Sequence, residues 1–382
     1  MEMDDLGLIR VIVDLTRLID NIALLRRVIG DRIKLLFAVK SDAYSHGAVA
    51  VADAATQAGV DFLGVTEIAE AKALRDAGVR LPILILTISK PKHIEPLVRL
   101  GARTTVTNIE FADALDREAK RQGKRVPIHV KVDTGMGRIG LFPEEVMPFF
   151  ERLRRFRQLE VEGIFSHLSV SDSQAPDDIA YTRIQLEAFV RVLAELDRAG
   201  RLPPLRHIAN SAAVLQYQDE VTSGYLNLVR PGTLLYGYPE VDRPWAREIK
   251  RVMRVETEVM AVRELPAGSY ISYERLYQTE SPTRIAVLPI GYANGLDRRL
   301  SNRGELGVRG RRIPIVGAVC MDLTMVDVSE VDGVRTGDRV EIIGDEIGAD
   351  DLGETAGISL AQVLTALGQG GKRIYLDEKP GD

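Results

Sequence analysis

The stretch LLFAVKSDAYSHG, residues 35–47, joins an apolar run to a lysine and a small-residue turn. Five consecutive apolar residues at 35–39 have the length and continuity of a strand covered on both faces, as in parallel sheets flanked by helices. Lys40 therefore stands where a parallel strand meets its loop, the end of an α/β sheet at which chemistry is normally carried out. Tyr44 and His46 follow in a turn closed by Gly47. A lysine in this position can form an imine with an aldehyde cofactor. It can equally cap the strand and reach solvent along its own aliphatic stem.

Working outward, apolar runs at 61–65, 82–86, 104–107, 128–132, 161–166, 207–209 and 228–235 alternate with segments of helical period such as 67–77 and 183–199. That alternation is the pattern of repeated βα units, and eight strands are enough to close a barrel. An open doubly wound sheet has the same periodicity. Gly200 supplies a left-handed cap after the second of those helices. Past Pro239 the pattern changes to short strands, at 251–264, 284–289, 307–311, 313–320, 323–327 and 339–343, separated by Gly, Asn, Asp and Pro turns. The expected fold is therefore α/β + β, a (β/α)8 TIM-type barrel followed by a C-terminal all-β domain. Residues 1–14 contain a strand at 9–14 expected to join the β domain, 15–240 form the barrel and 241–382 the β domain. A helix is expected over 15–27 with Asp14 as its cap, and 378–382 are expected to fray.

The 382 residues exceed what one hydrophobic core usually serves, in keeping with two domains. The 50 basic and 55 acidic residues are interspersed, and no basic stripe suited to a phosphate backbone is present. Nucleic acid is thus not an expected partner. One cysteine, Cys320, excludes an internal disulfide and reads as a buried small apolar residue. No apolar run reaches the roughly 20 residues of a membrane-spanning helix, and the acidic start is unlike a secretory leader, so a cytoplasmic location away from membranes is expected.

Mapped onto the ends of the barrel strands, the polar residues are Lys40, Arg138, His167, Asn210 with Ser211, and Arg230 with Gly232. They come from separate strands and converge on one face. In KVDTGMGRIG, 131–140, three glycines let the backbone approach a ligand or carry Arg138 into a pocket. HIANSAA, 207–213, opens a helix whose N–H groups and Ser211 hydroxyl suit a phosphate, and RPGTLLYG, 230–237, adds an arginine and a glycine amide nearby. Each loop taken singly is an ordinary cap or tight turn.

Together with SHLSVSD, ISYERLYQ, PIGYANGLDRRLSN and GAVCMDLTMVD, these strings follow the order and approximate spacing of alanine racemases, and the chain resembles that family over nearly its whole length. The resemblance implies an isomerase that uses pyridoxal 5'-phosphate to interconvert L- and D-alanine. It implies that Lys40 forms the imine with the cofactor, that Tyr44, Ser211, Gly232, Thr233 and Tyr375 or a neighbouring residue hold the phosphate with Asn210 also on the cofactor, and that Arg230 donates to the pyridine nitrogen with His167 beside it. A guanidinium keeps its proton, so that nitrogen stays unprotonated and the cofactor is a weaker electron sink, which discourages transamination.

Racemisation needs acid–base groups on opposite faces of the α-carbon. The resemblance implies Lys40 on one face and Tyr273, from the partner of a head-to-tail homodimer, on the other. It also implies Arg138, Met321 and Tyr292 on the substrate side, and Lys131 as the lysine that is carbamylated in many relatives. No metal is implied. By residue type alone, Tyr273 is a packing tyrosine and His167 a core histidine.

Several positions depart from the family pattern. Ala361, Ser359 and Ala318 stand where bulkier or different residues are usual, which implies a wider entrance and a range extending to serine. Asp42 and Asn294 exchange the usual amide and acid, and Glu274 replaces a small residue. Two other functions share the barrel and lysine. A barrel-type pyridoxal-phosphate decarboxylase carries an acid where this chain has Arg230, and a non-catalytic pyridoxal-phosphate carrier resembles the barrel half alone.

Overall fold

The computed structural model describes residues 8–377, so the expected fraying of 378–382 lies outside the described residues. The chain divides into two compact units. One comprises residues 18–43 and 48–250, and the other the N-terminal segment to Arg17, Tyr44–Gly47 and everything from Arg251.

The first unit is a parallel barrel of eight strands, β1 (Lys34–Ala38), β2 (Phe62–Val65), β3 (Ile83–Ile88), β4 (Arg103–Val106), β5 (Val126–Lys131), β6 (Leu159–Phe165), β7 (Leu205–His207) and β8 (Leu228–Val229). Each strand pairs in parallel with the next from β1 to β7, and β8 pairs with β1. The seam between β7 and β8 is closed by Asn227 N–H donating to Arg206 O at 3.1 Å and Arg230 N–H to Ala209 O at 3.0 Å. Closure removes the edges that an open sheet would expose. Inward side chains Leu36, Phe62, Leu84 and Leu228 form one packed layer of the interior. The outer helices follow their sequence cues: Asn108 caps Ile109–Arg121 by accepting from Phe111 N–H at 2.7 Å, and Pro176 opens Pro176–Arg198.

The strand expected over 228–235 is shorter. Pro231 has no N–H to donate, and the chain then coils through turns in which Leu235 N–H reaches Gly232 O and Tyr238 N–H reaches Thr233 O. β8 therefore stops at Val229, and Arg230 to Thr233 become a loop at the barrel's end.

In the second unit, Ile9–Asp14 pairs antiparallel with Met253–Glu258 and parallel with Lys372–Leu376, within a six-stranded sheet. Asp14 Oδ1 accepts from Arg17 N–H at 3.0 Å and so starts the helix Leu15–Ile29. A three-stranded antiparallel sheet and a two-stranded one complete the β structure around Ile271, Ile285, Val316 and Met325. This unit also holds two helices, Ala349–Ala356 and Leu360–Leu367, beyond the strands read from the sequence. Their eight-residue length is below what periodicity distinguishes from a strand.

Candidate active site

Lys40 follows β1 directly and begins a left-handed turn. Ser41, Asp42, Ala43, Tyr44 and Ser45 all have φ between 52° and 64°, and Ala43 N–H closes on Val39 O at 2.9 Å. Left-handed backbone costs a non-glycine residue roughly 1–2 kcal/mol, so this geometry persists only because surrounding contacts enforce it. Glu70 is one such contact, accepting from Ser41 N–H and from the N–H groups of Thr66 and Glu67. Asp42 accepts from Ala48 N–H at 2.7 Å. Tyr44–Gly47 group with the second unit, where Ser45 Oγ donates to Thr365 O at 3.0 Å.

Four further cationic or basic side chains gather toward Lys40 from other strands of the barrel. Burial, assisted by the charge of Arg138 and opposed by Glu70, holds the Lys40 amine below the ordinary lysine range. Lys131, the last residue of β5, is almost fully buried, and burial together with Arg230 and Arg138 pushes its amine well down. His167 is kept neutral by burial and by Arg230, Lys131, Arg138 and Lys40. Arg230 is pushed down to about 9, first by burial and then by Arg138, and so stays charged near neutrality. Arg138 itself is exposed at the tip of a loop shaped by Asp133, whose carboxylate accepts from the N–H groups of Gly135, Gly137 and Arg138. Gly140 is required there, because a Cβ would lie 2.4 Å from Asp133 N at a φ of +142°.

Arg230 is held on all sides. Its Nη1 donates to His207 Nδ1 at 2.8 Å, and Nη2 is shared among Ser166 O, Ile208 O and His167 Nδ1. No hydrogen bond among the described residues uses its Nε. Nearby, Ser211 Oγ accepts from Gly232 N–H at 2.9 Å and Leu234 N–H at 3.3 Å, leaving its own proton to donate. Asn210 accepts from Ala213 N–H and from the Ser171 hydroxyl. Thr233 Oγ1 donates to Glu240 at 3.0 Å. A strong cationic cluster, a guanidinium Nε–H without a protein partner and a serine donor beside a turn suit a ring nitrogen and an anionic group, so the residues present fit a phosphorylated pyridine cofactor.

The sequence-predicted residues Tyr273, Tyr292 and Met321 lie on loops of the second unit. Ser272 Oγ donates to Ala318 O at 2.7 Å and contacts Cys320 Sγ at 3.2 Å, while Tyr292 N–H and Ala293 N–H donate to Cys320 O and Met321 O. These bonds staple the three loops, and the side chains project to solvent: Tyr273 is 69 % exposed, Met321 53 % and Tyr292 45 %. Gly291 permits the closest approach, since a Cβ there would lie 2.3 Å from the carbonyl oxygens of Cys320 and Met321. Cys320 is partly exposed, a correction to its reading as a buried residue, because its loop lies at the rim of the Ile271 cluster. Ala318 is buried, Ala361 is half-buried and Ser359 caps the helix Leu360–Leu367. Asn294 accepts from Gly291 N–H, and Glu274 pairs with Arg298.

His129, Glu162, His207, Glu70 and Glu240 were not identified as site residues from sequence. The available signal was positional, since His129 and Glu162 are the fourth residues of adjacent strands, with His129 registering on Gly163 and Glu162 falling at the register shift before it.

The family model "Alanine racemase, N-terminal domain" matches residues 13–240, and "Alanine racemase, C-terminal domain" matches 252–375. Alanine racemase 2 of Caldanaerobacter subterraneus subsp. tengcongensis is 40 % identical over 379 residues, covering 98 % of this chain and 96 % of that protein. The alanine racemase of Symbiobacterium thermophilum is 40 % identical over 368 residues, covering 95 % and 96 %. Among solved structures, alanine racemase from Clostridium difficile 630 superposes with a TM-score of 0.88 at 30 % identity, covering 97 % of this chain and 96 % of the other. The structure of alanine racemase from Bartonella henselae with covalently bound pyridoxal phosphate gives 0.85 at 30 % identity, covering 96 % and 99 %.

Proposed function

This chain belongs to the alanine racemase family, and from that premise we propose that it interconverts L- and D-alanine with pyridoxal 5'-phosphate, using Lys40 and the partner subunit's copy of Tyr273 as the two acid–base groups. The observation that carries the reading is the convergence of Lys40, Lys131, Arg138, His167 and Arg230 at one end of the barrel. When bound, the cofactor supplies a conjugated ring that accepts the electron pair left at the α-carbon.

Lys40 is the residue that tethers the cofactor and, once its Nζ is released, takes or returns the α-proton on one face. Burial and the charge of Arg138 lower its basicity, which favours the neutral amine that takes a proton. With the cofactor bound, the Nε–H of Arg230 would be the donor left for the ring nitrogen and, being a donor there, would leave that nitrogen unprotonated. His167 accepts from Arg230 at Nδ1 and carries its own proton at Nε2. Asn210, Ser211, Gly232, Thr233 and Tyr44 are the phosphate-side residues, with Ser211 Oγ the donor nearest the turn. Arg138 and the loops of Tyr292 and Met321 receive the substrate carboxylate.

The exposure of Tyr273, Tyr292 and Met321 supports a head-to-tail homodimer in which one protomer's β-unit loops complete the partner's site. Mixing Lys40→Ala chains with Tyr273→Phe chains is then expected to restore activity through hybrids carrying one intact site, and full activity in a monomeric sample overturns the arrangement. Lys131 is a candidate for carbamylation: a buried amine of lowered basicity adds CO2 in its neutral form, releasing one proton, and the resulting anion pairs with Arg138. A carbamate carbon signal that appears with 13C-bicarbonate and vanishes in Lys131→Met checks this.

Among the described residues no helix is long and apolar enough to cross a membrane, and we place the enzyme in the cytoplasm, to be checked by cell fractionation. Alanine is the expected main substrate, with serine slower. The deciding experiment incubates the purified protein and cofactor with each L-amino acid and follows chirality and carboxylate together. D-alanine formation without CO2 release is expected; CO2 release in its place overturns the reading.

A further inference from the structure

A file of buried and half-buried polar side chains runs through the barrel to Arg230, and its other four members are not used by the proposed function. Arg103, at the start of β4, donates through Nε and Nη2 to both oxygens of Glu162 on β6 at 3.0 and 3.1 Å. Glu162 Oε2 meets His129 Nε2, on β5, at 3.1 Å. His129 Nδ1 meets His207 Nε2, at the end of β7, at 3.0 Å, and His207 Nδ1 meets Arg230 Nη1 at 2.8 Å. Four neighbouring strands and the loop that follows β8 thus contribute one member each, and both imidazoles are fully buried.

The space for this file is built in. A Cβ on Gly163 would lie 2.4 Å from His129 Nδ1, so the strand beside His129 has no side chain where the ring sits. Phe165 stacks on His207 with centroids 4.9 Å apart and planes 6° from parallel, fixing the second ring's orientation.

The proton positions follow from donor and acceptor inventory alone. A guanidinium only donates, so His207 Nδ1 must accept from Arg230. Neutral His207 then carries its proton on Nε2 and donates to His129 Nδ1. His129 in turn carries its proton on Nε2 and donates to Glu162. A carboxylate is acceptor-only, which suits a residue at which three N–H groups converge. Burial keeps both imidazoles below the ordinary histidine range and thus neutral. One arrangement satisfies every contact, and it is directional from Arg230 to Glu162.

We propose that Glu162 is a positioning residue for the reaction, acting through His129 and His207 to hold Arg230 as a donor aimed at the cofactor ring nitrogen. The proposal rests on the reading of Arg230 given above. Replacing Glu162 by Gln leaves one acceptor for three donors. If the amide nitrogen turns to His129, the tautomers of both histidines must reverse, and a His207 N–H then faces an Arg230 N–H. If it turns to Arg103, that arginine loses its bidentate seat.

The test uses the full-length holoenzyme labelled with 15N-histidine and reconstituted with cofactor 15N-labelled at the ring nitrogen. In the wild type, His129 and His207 are expected to show unprotonated Nδ1 and protonated Nε2. In Glu162→Gln both histidines are expected to leave that state, the ring-nitrogen signal to move and kcat to fall about tenfold with KM little changed, the size of one mispaired buried hydrogen bond. Glu162→Asp, which keeps an acceptor-only carboxylate, is expected to retain the wild-type tautomers. The opposite tautomers in the wild type overturn the proposal, as does a Glu162→Gln enzyme whose histidine and ring-nitrogen signals are unchanged. Should Glu162→Gln fail to fold, the wild-type and Glu162→Asp spectra still decide. Wild-type tautomers as stated but no racemisation would count against the proposed function, whereas activity with reversed tautomers counts against the role of Glu162.

Discussion

In the barrel, His129, His207 and Arg230 are buried and each finds its partners within the same unit. In the β unit, the loops of Tyr273, Tyr292 and Met321 are held through backbone, Ser272, Asn294 and Glu274, and the side chains of those three residues face solvent. Buried polar groups must be satisfied locally because an unpaired one costs roughly 1–3 kcal/mol, which makes the barrel half rigid before anything binds. Exposed side chains carry no such requirement. The barrel residues are therefore paired within their own unit, whereas Tyr273, the proposed second acid–base group, stands on an exposed surface that the proposed homodimer would cover.

The largest break in that comparison is expected at Lys40. Lys40→Ala removes both the proposed tether and the proposed proton carrier, and racemisation should fall by roughly 10⁴-fold or more. Borohydride treatment of the wild type should fix the cofactor covalently on Lys40, and a mass map that places the adduct on another lysine contradicts the assignment.

Tyr273→Phe should have the next largest effect, about 10²–10⁴-fold, while leaving cofactor binding intact because the barrel half does not depend on it. In heavy water the variant should still exchange the α-proton of one enantiomer through Lys40 and lose exchange of the other. Equal exchange of both enantiomers would mean that the tyrosine only packs.

Gly163→Ala tests the barrel half alone. The added methyl must displace His129 or its strand, an overpacking worth about 1–3 kcal/mol, read from the urea midpoint. A midpoint unchanged from wild type would show that the ring has room to give.

A gentler probe is pH. Burial holds His129, His167 and His207 below the ordinary imidazole value of about 6.5, with Arg230, Lys131, Arg138 and Lys40 acting the same way on His167 and Glu162 opposing at His129. The unfolded chain then binds more protons than the folded one below pH 6.5. Stability should be complete above that pH and decline as pH falls below it, by up to about 1.4 kcal/mol per unit for each histidine involved. His207→Asn should flatten the slope by one proton, and an unchanged slope would remove His207 from the account.

Much of this was legible in the chain itself. The run at 35–39 ending on Lys40, the glycine loops at 131–140 and 230–237 and the shift to short strands after Pro239 are local patterns, because strand period, turn chemistry and loop composition are properties of neighbours in sequence. These patterns gave the barrel, the β region and the order of the polar loops. They ran out where a short segment's state depends on tertiary packing: β8 ends at Val229, and Ala349–Ala356 and Leu360–Leu367 are helical in a strand-rich region.

The positive φ of Ser41–Ser45 had no local sign, since none of the five is glycine; contacts such as that of Glu70 with Ser41 N–H help hold the turn. Nor could any spacing rule connect Arg103, Glu162, His129, His207 and Arg230, which lie up to 127 residues apart. Their meeting depends on strand register and barrel closure, which bring one position from each of four strands and from the loop after β8 into a single line. Residue types and their order along the chain set which chemistry is available at Lys40, Arg230 and Tyr273. Which of these groups is dry, which is paired and where each proton sits follows from burial and through-space contact, quantities that exist only once distant segments are packed together.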